Sequence, residues 1–281
     1  MTRIGVLGAG TMGHGIAQVA ALAGQTVVLA DRDVNLAAAG VAKVASSLAR
    51  LVEKGKLSES DRAGALERLR AGTPDEAAEG ADLVVEAVPE QLPLKHAALG
   101  RAADVAGPRA ILATNTSSLS IAAIAAGLPE PGRVVGTHFF NPVPVMALLE
   151  VVVADGTRDD VRDTVVAWGA RLGKEVIVVR DTPGFATSRL GVCLGMEAIR
   201  MVEQGVASAE DIDKAMVLGY RHPIGPLRLT DLVGLDVRMA IGTYLAGALG
   251  NSAFEPPALM RTMVTEGRLG QKAGKGFYTW T

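Results

Sequence analysis

Along the first two-thirds of the chain, short apolar runs alternate with longer stretches whose apolar positions recur at helical spacing. Ile4–Leu7, Thr26–Ala30, Leu83–Val88, Ala110–Thr114, Val134–Thr137, Leu148–Val153 and Val176–Val179 read as strands. Several are apolar at every position rather than alternating, which suits parallel strands covered by helices on both faces. Thr73-Pro74-Asp75-Glu76 offers a cap with proline in the first turn, and Thr157-Arg158-Asp159-Asp160 has the form of a capping box. The predicted class is α/β, with a doubly wound, mostly parallel sheet.

One interval breaks the alternation. Roughly fifty residues separate the second strand from Leu83, well above the ~10–15 of a single crossover helix. Leu36 to Val52 reads as one helix, stopped near Gly55, and Ser58 with Asp61 three residues on starts a second. The expectation is an inserted helical hairpin. Arg50, Lys54 and Lys56 give it a basic tip, which on residue chemistry alone reads as a solvated surface.

At Asp181-Thr182-Pro183-Gly184 the pattern changes, and no further clear strand is expected until the last few residues. Phe185 to Gly205 reads as a long helix, Ser208 caps another, and the segments around Leu232 and Met260 are also helical. The expected division is residues 1–182 for the α/β domain and 183–281 for a smaller all-α domain.

Composition narrows the field without choosing a function. The chain is 49% hydrophobic and 21% charged, the balance of a globular protein. A net charge of -2 argues against a nucleic acid or an anionic membrane recognised through bulk charge. Cys193 is the single cysteine, so no internal disulfide forms; a reducing compartment, the cytoplasm, is the expectation. It reads as a small buried helix residue. Apolar stretches such as Ile121 to Leu128 are too short to span a bilayer, no signal peptide is evident, and no metal site is expected.

Candidate chemistry begins at Gly8-Ala9-Gly10-Thr11-Met12-Gly13, a G-x-G-x-x-G directly after a strand and opening a helix. Gly8 permits the tight turn, Gly10 admits a pyrophosphate to the helix N-terminus, and Gly13 lets helix and strand pack closely. Asp31 ends the second strand at the distance expected of a residue that accepts from ribose hydroxyls. Together these predict a Rossmann-like domain binding a dinucleotide. Asp31 favours NAD, while the neighbouring Arg32 leaves NADP open.

A nicotinamide enzyme acting on an alcohol needs a base. His14 lies in the glycine turn, His96 in a polar helix and His222 in a proline-rich turn, whereas His138 falls at the C-terminal end of a predicted strand, where open α/β sheets place ligands. The string His138-Phe139-Phe140-Asn141-Pro142-Val143-Pro144 resembles the signature of the L-3-hydroxyacyl-CoA dehydrogenase family, notably its short 3-hydroxybutyryl-CoA type. Asn115-Thr116-Ser117-Ser118, Leu149-Glu150-Val151, Pro183-Gly184-Phe185, Gly225-Pro226, Asp231, Gly234-Leu235-Asp236 and Gly274-Lys275-Gly276-Phe277-Tyr278 follow the same family pattern across essentially the whole chain.

The resemblance implies hydride transfer between NAD and C3 of a short acyl-CoA. His138 would be the general base, Glu150 its partner and Ser117 a hydrogen bond to the reacting oxygen. It places Glu90 and Lys95 near the nicotinamide ribose and Asn115 beside the nicotinamide. Ser47 and Lys54 would meet the coenzyme A nucleotide, giving the basic tip of the hairpin a partner. The helical domain would support a homodimer. One position departs: where the family commonly carries asparagine, this chain has Ser188, whose single hydroxyl reaches less far. Glu150 also stands out on chemistry alone, a lone acid in an apolar run that needs a partner.

Two other readings fit parts of the pattern. A sugar-acid dehydrogenase of the gulonate type shares the histidine motif but would ignore coenzyme A. A non-catalytic relative of the crystallin kind would retain the fold with an idle site, against which Ser117, His138 and Glu150 argue jointly.

Overall fold

The computed structural model describes residues 1–280 and divides into two compact units, Met1–Asp181 and Thr182–Thr281. The first is built on eight strands: β1 (Arg3–Leu7), β2 (Thr26–Ala30), β3 (Leu69–Gly72), β4 (Leu83–Glu86), β5 (Ile111–Thr114), β6 (Val134–Phe139), β7 (Leu148–Val153) and β8 (Glu175–Arg180). They form one sheet in the order β3-β2-β1-β4-β5-β6-β7-β8, with order reversing from β1 in the doubly wound manner.

Helices α1 (Thr11–Leu22), α2 (Val34–Glu53), α3 (Glu59–Glu67), α4 (Pro74–Ala78), α5 (Leu92–Val105), α6 (Ile121–Ala125) and α7 (Asp159–Arg171) connect these strands. β4 and β5 are buried at every position, which explains their continuous apolar sequence. The edge strand β8 leaves Ile177 and Val178 exposed. Ile4, Val6, Leu29, Leu83, Val85 and Trp168 belong to the core of this unit. Each such fully buried side chain contributes about 1.5–3 kcal/mol.

The hairpin forms as expected: Gly55 takes φ +64° just after α2, and the Ser58 hydroxyl accepts from Asp61 N to start α3. Four details differ. β3 is a strand that periodicity did not reveal, because four residues containing Arg70 and Gly72 carry little apolar signal. It exists because the β2 backbone has an open edge to pair. β4 stops at Glu86 rather than Val88, and β6 runs on to Phe139. Thr157 makes no capping box. Its hydroxyl donates to Val134 O instead, and Arg158 starts α7 without a side-chain cap.

All neighbouring strands run parallel except β6 and β7, whose connection of residues 140–147 is too short for a crossover helix.

The second unit packs α8 (Thr187–Glu203), α9 (Ala209–Lys214), α10 (Pro226–Val233), α11 (Leu235–Leu249) and α12 (Ala258–Thr265) around Val192, Met196, Leu227, Leu245 and Met260. α8 begins two residues later than expected, after Phe185 at φ +51°. Cys193 is half-buried in α8 rather than fully buried. Buried Asp231 accepts from Phe277 N, Tyr278 N and Trp280 Nε1, fastening the chain's end to α10. Asp213 accepts from the first N–H groups of α10 and from the Tyr278 hydroxyl. Arg238, inside this unit, donates to Gly191 O, and burial lowers its pKa to about 10. No single helix among the described residues is long and apolar enough to cross a membrane.

Candidate active site

The turn between β1 and α1 has the geometry its glycines predict. Gly8 sits at φ +100°, where a side chain is strained. A Cβ on Gly13 would fall 1.6 Å from Gly8 O, so only glycine lets α1 approach the turn. A Cβ on Gly10 would meet nothing within 4 Å. That open space lies at the first N–H groups of α1, which have no intrahelical carbonyl and favour an anion. Met12 packs against the core, so the backbone of this turn carries the recognition. The Asp31 carboxylate accepts from Ala9 N at 2.7 Å and Arg32 N at 2.8 Å. It both closes the turn and keeps lone pairs for ribose hydroxyls. These residues fit a dinucleotide.

Beyond the glycine turn, the ends of β4 and β5 meet in a buried ionic network. Lys95 and Glu86 are fully buried. The Lys95 ammonium donates to Glu86 Oε1 at 3.0 Å and Asn115 O at 2.8 Å, and lies 3.3 Å from Glu90 Oε2. Glu86 also accepts from the Thr114 hydroxyl and Val88 N, each at 2.6 Å. Burial pushes its carboxyl above the usual range against these contacts. Glu90 in turn accepts from the Thr116 hydroxyl at 2.5 Å and Ser117 N at 2.9 Å.

Lys95 therefore acts within the protein, fixing Glu90 and the Asn115–Ser118 turn. Glu86 was missed by sequence reading. Its signal is a lone acid in the apolar run Leu83–Val88, the same kind of signal that singles out Glu150.

Asn115 Oδ1 accepts from Phe139 N at 3.1 Å, joining the end of β5 to β6. One residue earlier on β6 is His138, which the antiparallel register sets directly opposite Glu150 on β7. His138 Nδ1 lies 2.6 Å from Glu150 Oε2, with the histidine 5% exposed and the glutamate fully buried. An Nδ1–H donated to a carboxylate leaves Nε2 as the basic nitrogen of the neutral ring. The Phe140 ring packs 4.4 Å from the imidazole, centroid to centroid. Among the described residues the Ser117 hydroxyl makes no hydrogen bond. Two of the other three histidines are held by backbone carbonyls: His14 Nδ1 against Gly10 O and His96 Nε2 against Ala126 O.

A groove of about 700 Å³ runs beside the glycine turn. α1 contributes Thr11, His14 and Gln18, α2 contributes Lys43, Ser47 and Arg50, and Asn141–Val145 form another wall. Ser47 lines this groove. Lys54, the residue capping α2, is not among the lining residues; Lys43 and Arg50 supply the positive charge there. Ser188 belongs to the second unit, half-buried in the first turn of α8.

Residues 3–182 match the model of the 3-hydroxyacyl-CoA dehydrogenase NAD binding domain, and residues 184–280 match that of the C-terminal domain of the same enzymes. The chain belongs to the 3-hydroxyacyl-CoA dehydrogenase family. Among its relatives, a probable 3-hydroxybutyryl-CoA dehydrogenase of Bacillus subtilis is 42% identical over 99% of this chain and 97% of its own. A 3-hydroxybutyryl-CoA dehydrogenase of Mycobacterium tuberculosis is 43% identical, covering 99% and 98%. The crystal structure of (S)-3-hydroxybutyryl-CoA dehydrogenase from Ralstonia eutropha superposes with a TM-score of 0.96 at 42% identity, covering 100% of this chain and 99% of that one. Membership in this dehydrogenase family makes the first unit an NAD-binding domain.

Proposed function

We propose that this protein interconverts a short L-3-hydroxyacyl-CoA and the 3-oxoacyl-CoA, with His138 as the base. The observation that carries the reading is the buried His138–Glu150 pair on facing strands of an NAD-binding domain. NAD, when bound, supplies the acceptor for the hydride leaving C3. His138 Nε2 takes the hydroxyl proton, and the Glu150 carboxylate offsets the imidazolium charge and holds the tautomer. The Ser117 hydroxyl donates to the C3 oxygen. Glu90 and Asn115 position the nicotinamide end of the cofactor, while Lys95 holds Glu90 from below. The groove lined by Ser47 and Arg50 receives the coenzyme A arm, with Lys54 near its nucleotide end. On the second unit, Ser188 offers a hydroxyl to the substrate; unaltered steady-state constants in Ser188→Ala would remove it from this scheme.

The proposal includes a homodimer joined through the second unit, where Leu190 is 73% and Tyr220 77% exposed. Apolar area of that kind is lowered in free energy by a second copy. Equilibrium sedimentation tests it. A cytoplasmic location completes the scheme and is tested by cell fractionation.

The deciding experiment follows NADH absorbance with acetoacetyl-CoA, then with NADPH in place of NADH, then with free acetoacetate, and repeats the first with His138→Ala. NADH oxidation that needs the thioester and disappears in the variant supports the reading. Binding of NADH without turnover of the thioester defeats it, and preference for NADPH overturns the role given to Asp31.

A further inference from the structure

Lys174 stands in the turn between α7 and β8 and takes no part in the dinucleotide turn or the His138–Glu150 pair. It is 9% exposed, and its ammonium donates to Val143 O at 2.5 Å and Met146 O at 2.7 Å. No carboxylate pairs with it among the described residues. A cation withdrawn from water and met only by carbonyl dipoles is costly. Burial accordingly pulls its pKa down. An apolar side chain would fill the same space at less cost, so the two carbonyls are the feature to explain.

Both carbonyls belong to the connection between β6 and β7. Pro142 and Pro144 have no N–H to donate. Val145 N and Met146 N both donate to Pro142 O, at 2.9 and 3.0 Å. Val145 and Met146 thus spend their N–H groups on Pro142 O inside the turn, while Val143 O and Met146 O accept from Lys174, outside it. The same segment, Asn141–Val145, is a wall of the groove beside the glycine turn. Val143 fits it to α1 closely, since a Cβ on Gly15 would lie 2.9 Å from that of Val143.

We propose that Lys174 is a positioning residue for the thioester substrate, holding the Asn141–Met146 segment where it forms the wall of the coenzyme A groove. This rests on the acyl-CoA reading above. Lys174 sets affinity for the coenzyme A arm and takes no part in proton transfer.

The test compares wild type, Lys174→Met and Lys174→Gln by calorimetric binding of acetoacetyl-CoA, by NADH binding and by steady-state kinetics. Methionine keeps the length and removes every donor; glutamine keeps a donor and removes the charge. The methionine variant is expected to raise the thioester dissociation constant and KM about tenfold, roughly 1.4 kcal/mol. NADH affinity and kcat should stay within about twofold, and glutamine should fall between the two proteins.

An unchanged thioester constant, or equal losses for thioester and NADH, would overturn the proposal. If the methionine variant does not fold, the glutamine variant decides by the same criteria. Wild-type protein that fails to bind acetoacetyl-CoA defeats the functional reading and this inference together. Wild-type binding matched by the variants defeats the inference alone.

Discussion

Replacing Glu150 with glutamine separates the charge of the pair from its shape. The side chain is fully buried and its Oε2 lies 2.6 Å from His138 Nδ1, so the amide fits the same space. In the proposed alcohol oxidation the imidazole becomes a cation, and a carboxylate about 4 Å from that charge stabilises it by about 4 kcal/mol at an effective dielectric near 20. Glutamine retains a neutral hydrogen bond of about 1 kcal/mol. The difference of roughly 3 kcal/mol converts to a loss in kcat of about 10²-fold. The loss approaches about 10⁴-fold if the amide presents its NH₂ and selects the wrong tautomer.

Removing a buried charge leaves stability within about 1 kcal/mol, whereas His138→Ala takes away the buried carboxylate's partner on β6 and costs about 3 kcal/mol. The assay is NAD reduction with saturating L-3-hydroxybutyryl-CoA, with thermal unfolding and NADH binding as controls. A folded Glu150→Gln protein that binds NADH and loses less than about fivefold in kcat would refute the charge argument.

Three further outcomes are expected. Gly10→Ala should fold normally and lose NADH affinity by at least about tenfold, because the added methyl occupies the anion's space. Gly13→Ala should lose about 3 kcal/mol or more of stability through its clash with Gly8 O; calorimetry distinguishes the two. Arg50→Met should raise the acetoacetyl-CoA KM several-fold and steepen less with salt than wild type, while Lys54→Met, outside the groove lining, should change it less. Equal effects would give Lys54 the same share in holding the nucleotide as Arg50.

Asp82 accepts from Thr2 N and Arg3 N, and the first of these bonds chiefly lowers its pKa. A depressed carboxylate pKa stabilises the fold above the unfolded value and loses that contribution as pH falls through the folded one. The group is exposed, so solvent screening limits the gain to under about 1 kcal/mol. Asp82→Asn should therefore unfold slightly earlier than wild type at neutral pH, and the gap should close as pH falls below the ordinary carboxylate range. A gap that persists there would point to packing rather than charge.

The sequence by itself determined the features whose causes lie within a few residues. Gly8, Gly10 and Gly13 act through backbone freedom and missing side chains in one turn, and Ser58 caps α3 through a neighbour three residues away. Runs such as Leu83–Glu86 reveal a two-sided buried strand because burial on both faces removes polar positions altogether. The family resemblance supplied the pairing of His138 with Glu150, which spacing alone does not give.

Tertiary structure decided the rest. It made β6 and β7 antiparallel, and so brought residues twelve apart in sequence face to face. It drew Thr157 away from its helix because Val134 O offered a better partner. β3 formed against the β2 edge with almost no apolar signal of its own. Lys95 on Glu86 and Lys174 on Val143 O are invisible in sequence for one reason. A buried cation is tolerated only where distant segments converge to supply its acceptors, and no local pattern records that convergence.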